Sequence, residues 1–352
     1  MKRKYFAAIV AIAAALLCIM TVYMWRGKET ENVDNTEEQH LTTIGFSQVG
    51  AESDWRTINS VSVKDTFTLE KGYNLIFDDA RQTQTNQIRA IRSFIQQDVD
   101  YIIFSPVVES GWDTVLEEAK RAEIPVIVID RMVNVKDENL YTAWIGSDFY
   151  LEGQKACKTL KAYIDKKGIE EVNIVNIQGT IGSTAQIGRS KAIEEAVEKY
   201  GWNLLEQTSG EFTQARSYEV MKDALEKYDN INFVYCENDN EAFGAIDAIR
   251  DAGKSVGSLE GDIQIISFDA TADGLARTLR GDIIIEIECN PLQGPEAEKV
   301  IQQIENKEEV TKRYYIPEKI FVHDEGIPDI KLRGKDFSAE VVTEDIIKGR
   351  GY

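Results

Sequence analysis

Histidine is nearly absent from this 352-residue chain: His40 and His323 are the only two, and they are isolated from each other. A zinc site or a histidine-based catalytic set is left without its usual side chains. Cysteine is scarce as well. Cys18, Cys157, Cys236 and Cys289 are spread out, and no pair has metal-ligand spacing. Their apolar surroundings read as those of buried free thiols, although the spacing leaves a disulfide open. A Gly-x-Ser-x-Gly elbow is missing. Gly179-Thr-Ile-Gly-Ser183 has the glycines of a phosphate loop but lacks the Gly-Lys-Ser/Thr ending. Positive charge is in deficit, with 40 Lys and Arg against 60 Asp and Glu, a formal net charge of −20. Such acidity disfavours binding to a phosphate backbone and argues for no nucleic-acid partner. With 60 carboxylates, chance acidic pairs are frequent and give a glycosidase reading little support. The chain reads as a non-enzyme with no cofactor and no metal.

One long apolar run is present. Met1-Lys-Arg-Lys4 precedes Tyr5 to Trp25, which carries no charge and is long enough to span a bilayer as a helix. A basic cluster ahead of such a run keeps the N-terminus inside the cell and the rest outside. Residues 1–28 hold five basic and no acidic side chains, so the remainder carries about −25. Ala15-Leu-Leu-Cys18 resembles a lipoprotein box but lacks small residues before the cysteine. An uncleaved anchor is the leading reading; a lipid-modified Cys18 and simple cleavage are the alternatives. Arg26 to His40 reads as a polar tether.

From Leu41 onward short apolar runs alternate with amphipathic stretches. Strands are expected at Thr43–Phe46, Tyr73–Phe77, Tyr101–Phe104 and Val126–Ile129, with helices over Asp54–Lys71, Gln84–Gln97 and Asp113–Arg121. The rhythm restarts after Ser147, with strands at Val172–Ile177, Asn203–Gln207, Phe233–Cys236, Ile263–Phe268 and Ile283–Glu288. Helices lie between them, and a last helix (Pro295–Glu305) and strand (Lys319–Val322) follow. Pro328–Tyr352 is polar and weakly patterned. This alternation predicts an α/β chain of two doubly wound parallel sheets, hence two lobes and a cleft.

Ligands of open α/β sheets bind beyond the carboxyl ends of the strands. Ser47, Gln48, Glu52, Trp55 and Arg56 follow the first strand, and Asp130 and Arg131 follow the fourth. Gly179–Thr184 with Arg189, then Phe212, Asn238, Asp239, Asp269 and Glu288–Asn290 follow the later ones. Carboxylates accept from hydroxyls, arginines donate to them, and Trp or Phe faces cover the C–H side of a sugar ring. Each residue also has a plainer reading. Asp130 and Arg131 can pair with each other, Asp239 can cap a helix, Trp55 can be core and Arg189 helix surface. Asp269 can organise a turn, and Glu286 and Glu288 can share a solvated strand face. Their gathering at one edge is the stronger signal.

Several segments together resemble the galactofuranose-binding proteins of bacterial ABC importers. They are Ile44-Gly-Phe-Ser-Gln-Val-Gly-Ala-Glu-Ser-Asp-Trp-Arg56, Ser105-Pro-Val-Val-Glu-Ser-Gly-Trp112, Ile124-Pro-Val-Ile-Val-Ile-Asp-Arg131, Gln178-Gly-Thr-Ile-Gly-Ser183, Gly210-Glu-Phe-Thr213, Glu237-Asn-Asp239 and Gly351-Tyr352. The resemblance runs from about Thr42 to the end. It implies a type I periplasmic-binding-protein fold, two Rossmann-like lobes joined by three hinge crossings. With 1–28 as the anchor and 29–41 as the tether read from the apolar run, it puts 42–146 with 290–314 in one lobe, 147–289 with 315–340 in the other, and 341–352 in a tail. It implies that Asp130 and Arg131 hold sugar hydroxyls from one lobe, with Trp55 and Arg56 beside them, and that Asn238, Asp269 and Arg189 hold the sugar from the other, with Phe212 nearby. Relative to the ribose-binding branch, Ile187 replaces an arginine and Cys289 a hinge glutamine, which disfavours ribose. Partners implied are a furanose-type sugar and an ABC permease, with a membrane sensor kinase as the alternative, for a monomer outside the cell. A LacI-type repressor would need an N-terminal helix-turn-helix and a basic face, and this chain has neither.

Overall fold

The computed structural model describes residues 11, 13–21, 41–257, 259 and 262–352. It divides into two units, Met1–His40 and Leu41–Tyr352. In the first, residues 13–21 are helical (α1). Among the described residues no helix is long and apolar enough to cross a membrane. Most of the anchor and the whole of the tether expected over Tyr5–His40 lie outside the described residues.

The second unit contains two sheets. The first, in the order β11-β5-β4-β3-β1-β2, is parallel throughout. Its strands are β1 (Thr42–Gln48), β2 (Tyr73–Asp79), β3 (Tyr101–Phe104), β4 (Val126–Ile129), β5 (Ala143–Gly146) and β11 (Arg313–Tyr315). β3, β4 and β5 are buried at every position, as strands covered on both faces must be. Ile102 and Phe104 enter one core with Trp112, Val115 and Leu116. Tyr101 and Ile103 enter another with Val63, Val300 and Ile301, following the two-residue period of a strand. The covering helices are α2 (Asp54–Thr66), α3 (Gln84–Gln96), α4 (Asp113–Arg121) and α10 (Gly294–Glu305).

The second sheet runs β15-β12-β10-β9-β8-β6-β7. β6 (Asn173–Gln178), β7 (Asn203–Ser209), β8 (Phe233–Cys236), β9 (Gln264–Asp269) and β10 (Ile285–Glu288) are parallel. β12 (Ile320–Val322) pairs antiparallel with β10, and β15 (Ala339–Val341) lies parallel to β12. Helices α5 (Phe149–Lys167), α6 (Thr184–Tyr200), α7 (Gln214–Lys227), α8 (Asp239–Asp251) and α9 (Ala272–Arg280) flank this sheet. The chain passes between sheets at 147–148, 289–293 and 316–319.

Two expectations change. The segment from Pro328 is not an unpatterned tail: β13 (Ile330–Leu332) and β14 (Lys335–Phe337) form a hairpin, β15 joins the second sheet, and α11 (Glu344–Lys348) packs beside α9. Elements this short carry too few residues for a hydrophobic period to register. Helices also begin earlier than their apolar pattern. Ser183 caps α6 by accepting from Gln186 N, so Arg189 lies within the helix.

Candidate sugar-binding cleft

The carboxyl ends of both sheets meet in one narrow cleft lined from both lobes. Ser53 caps α2 by accepting from Arg56 N, which sets Trp55 and Arg56 at the cleft. Three other lining residues sit at strand or loop ends with left-handed backbone: Asp130 (φ 59°), Phe212 (φ 61°) and Asp269 (φ 104°). Non-glycine residues hold such angles only where their surroundings enforce them, typically at functional sites.

On the first lobe the charges form a closed network. Arg56 Nη1 lies 2.7 Å from Asp130 Oδ2, and its Nε donates to Glu52 Oε1 at 3.0 Å. Arg131 Nη2 donates to the same Glu52 oxygen at 3.3 Å, and Nη1 to Val107 O at 3.1 Å. Ser105 Oγ donates to Asp130 Oδ2 at 3.0 Å. Burial alone would lower the Arg56 pKa, but Asp130 and Glu52 reverse this and raise it. Arg131 falls to about 10, first through burial and then through Arg56. Glu52 Oε2 and Arg131 Nε are buried without a hydrogen-bond partner among the described residues. Both have the chemistry to meet a hydroxyl.

On the second lobe Arg189 is held by Glu152 Oε2 at 2.8 Å and by the Glu237 carbonyl, with Asp269 Oδ1 at 3.7 Å from its Nη2. Burial pushes the Asp269 carboxyl well above its usual range, and Arg189 opposes that. Asn238 caps α8 at Glu241 N and donates to Phe212 O. The arginines stack on aromatics: Arg56 on Trp55 (4.7 Å), Arg131 on Phe212 (5.1 Å) and Arg189 on Phe149 (5.4 Å). Trp55, Phe149, Ala185, Phe212 and Cys289 form an apolar cluster across the two lobes. Burial raises the Cys289 thiol, which keeps it protonated and a poor nucleophile.

The lobes are closed on each other. Trp55 Nε1 donates to Cys289 O at 2.6 Å, and Met132 N to Thr184 Oγ1 at 3.0 Å. Asp54 N donates to Asn240 Oδ1 at 3.0 Å, and Asn240 Nδ2 to Asp54 Oδ2 at 3.1 Å.

Of the residues singled out from sequence, Glu52, Trp55, Arg56, Asp130, Arg131, Arg189, Phe212, Asn238 and Asp269 line this cleft. Ser47, Gln48 and Glu288 do not. Ser47 is buried in β1, and Gln48 sits behind Arg56, accepting from its Nη1 at 3.3 Å and donating to Asn59 and Ser60. Glu288 is turned to Arg350 and Tyr352. Asp130 pairs with Arg56 rather than chiefly with its neighbour Arg131, whose Nε is 3.9 Å away. Asp239 is not the cap of α8; it receives Thr271 N, Thr271 Oγ1 and Ser267 Oγ. Glu286 and Glu288 are buried, not solvated. Sequence reasoning missed Ser53, Phe149 and Ala185 as lining residues, while Cys289, placed in the strand-end set Glu288–Asn290, does line the cleft. Ser53 had a signal, a capping serine ahead of Trp55. Phe149 follows β5, whose Ala143-Trp-Ile-Gly146 lacks the run of large apolar residues that marks β3 and β4.

Comparison with known proteins agrees with this architecture. Residues 44–285 match the model of the periplasmic binding protein domain. The chain is 38% identical to the galactofuranose-binding protein YtfQ of Escherichia coli (strain K12) over 72% of its own length and 79% of that protein's. A Mycobacterium smegmatis structure in complex with β-D-fucofuranose is 42% identical, with a TM-score of 0.75 over 80% of this chain and 91% of that one. The binding protein of the arabinose ABC transporter from Shewanella sp. ANA-3, bound to α- and β-L-arabinofuranose, is 39% identical, with a TM-score of 0.75 over 80% and 92%. A chain with this topology, this cleft and these likenesses belongs to the periplasmic binding protein family of solute-binding proteins.

Proposed function

We propose that this chain captures a furanose monosaccharide between its lobes and delivers it to an ABC permease. The observation that carries the reading is the convergence of Asp130, Arg131 and Arg56 from one lobe with Asp269, Arg189 and Asn238 from the other on one small cleft. Both lobes thus contribute hydrogen-bonding groups, so a polyhydroxyl ligand gains most from the closed form and shifts the population toward it. Trp55 and Phe212 supply apolar faces for the ring. The furanose-bound relatives support the ring form, and Cys289 in place of a hinge amide is in keeping with it. Isothermal titration of the full-length chain with galactofuranose, arabinofuranose, fucofuranose, galactose and ribose tests this. Heat with at least one furanose is expected; no heat with any sugar, together with an unchanged melting temperature, overturns it.

We further infer a monomer held at the outer face of the cell membrane by residues 1–28, on the strength of the apolar run after Met1-Lys-Arg-Lys4. Carbonate-resistant membrane association without fatty-acid labelling at Cys18 is expected. Labelling at Cys18 would assign a lipid anchor instead.

A further inference from the structure

The segment Arg350–Gly351–Tyr352 lies outside the cleft, yet it binds both chain segments that present the second lobe's cleft residues at its hinge side. Asp269 and Ala270 are consecutive non-glycine residues in left-handed backbone, φ 104° and 55°. That turn persists only if its backbone groups are held from outside. Ala270 N donates to Glu286 Oε1 at 3.1 Å, and Thr271 N to Asp239 Oδ2 at 2.9 Å. Two more ties come from the far end of the sequence. Arg350 Nε donates to Ala270 O at 2.8 Å, and Ala272 N donates to Tyr352 O at 2.8 Å.

The same segment grips the hinge. Arg350 Nη1 (2.9 Å) and Tyr352 Oη (2.8 Å) both donate to Glu288 Oε1, while Glu288 Oε2 accepts from Lys319 N at 2.8 Å. Glu288 immediately precedes Cys289, whose carbonyl takes the Trp55 indole N–H from the other lobe. Lys319 ends the third crossing. One buried carboxylate therefore joins two crossings, and two side chains of one strap orient it. The Arg350 guanidinium lies 4.2 Å from the Tyr352 ring centre and 5.3 Å from that of Phe321, which fixes its plane.

We propose that Arg350 and Tyr352 are positioning residues of the sugar site: they set the Asp269 carboxylate and, through Glu288, the second hinge crossing, without touching ligand. This rests on the sugar-cleft reading above. Arg350→Ala should weaken furanose binding at least tenfold, equivalent to about 1.4 kcal/mol, chiefly through faster dissociation. Tyr352→Phe, which keeps the carbonyl tie to Ala272, should lose a smaller factor, and Arg350→Lys should recover part of the loss. Thr343→Ala, which removes the cap of α11, serves as a control that destabilises the same region without touching the strap.

Two measurements carry the test. In the sugar-free full-length chain, hydrogen exchange at residues 270–272 should accelerate in Arg350→Ala and not in Thr343→Ala. Unchanged exchange overturns the strap whether or not any sugar binds, so its failure stands apart from failure of the sugar reading. In titrations well below the melting temperature, Arg350→Ala should add less than its full effect to Asp269→Asn, because the part that runs through the Ala270 turn is already lost while the part through Glu288 remains. Full additivity, or wild-type affinity in Arg350→Ala with only a lowered melting temperature, reduces the segment to a structural role and refutes the proposal.

Discussion

Asp130→Asn is the most discriminating substitution in the cleft. Asp130 Oδ2 is the joint acceptor of Arg56 Nη1 at 2.7 Å and Ser105 Oγ at 3.0 Å, and Arg131 Nε stands 3.9 Å away. Asparagine keeps the shape and tolerates the left-handed backbone at φ 59°, so the change isolates charge. A hydrogen bond to a charged group contributes about 1.5–3 kcal/mol, against about 0.5–1.5 for a neutral pair. The ligand hydroxyl loses roughly 1–1.5 kcal/mol, so binding should weaken about 5–13-fold, while the weakened Arg56 pair, made within one lobe with or without sugar, costs stability instead. Arg56 is left with Glu52 as its carboxylate partner, so that stability cost is a buried cation short of an acceptor. Asp130→Ala should bind no better and should also melt lower, because a β-carbon without a polar tip disfavours left-handed backbone by about 1–2 kcal/mol. Titration calorimetry gives the affinity and differential scanning the stability. An Asp130→Asn variant that binds within about threefold of wild type, under about 0.7 kcal/mol, would show that the Asp130 charge does not face the ligand, and the cleft assignment would fall with it.

Three further outcomes follow from the same geometry. Asn240→Ala removes two hydrogen bonds between lobes without touching the cleft lining, so stopped-flow dissociation should quicken by about 5–30-fold, about 1–2 kcal/mol; an unchanged rate refutes the latch. Gly179→Ala puts a β-carbon 1.9 Å from Phe212 Cζ, so the ring must leave its place, and both sugar affinity and melting temperature should drop, the latter by an overpacking cost of about 1–3 kcal/mol. Glu237 is pushed up to about 7 by burial, with Ser190 and Gly179 N opposing. The folded state then holds a proton that the unfolded chain releases at its ordinary carboxylate pKa. Stability should be greatest below that value and should fall as pH rises toward about 7. Glu237→Gln, which mimics the protonated acid facing Ser190 Oγ and Gly179 N, should flatten this slope in pH-dependent thermal melts, and a slope unchanged by the substitution assigns it to another group.

The parallel cores were legible because they obey a local rule: Tyr101–Phe104 and Val126–Ile129 are buried on both faces, and a run of four apolar residues says so by itself. Asp130, Asp269 and Phe212 were legible for a related reason, since strand ends are marked by where apolar runs stop. Partnership was not legible. Asp130 sits next to Arg131 in sequence but pairs at 2.7 Å with Arg56 on another element, with Arg131 Nε at 3.9 Å. Glu288 showed the opposite failure. It occupies a strand end like the others, and its burial against Arg350 and Tyr352 depends on a segment whose short elements leave no periodic trace. Strand-end position thus reports which residues can reach the cleft. Which of them do reach it is decided by partners brought in from distant sequence: Arg56 shares Asp130 within the cleft, whereas Arg350 and Tyr352 hold Glu288 outside it.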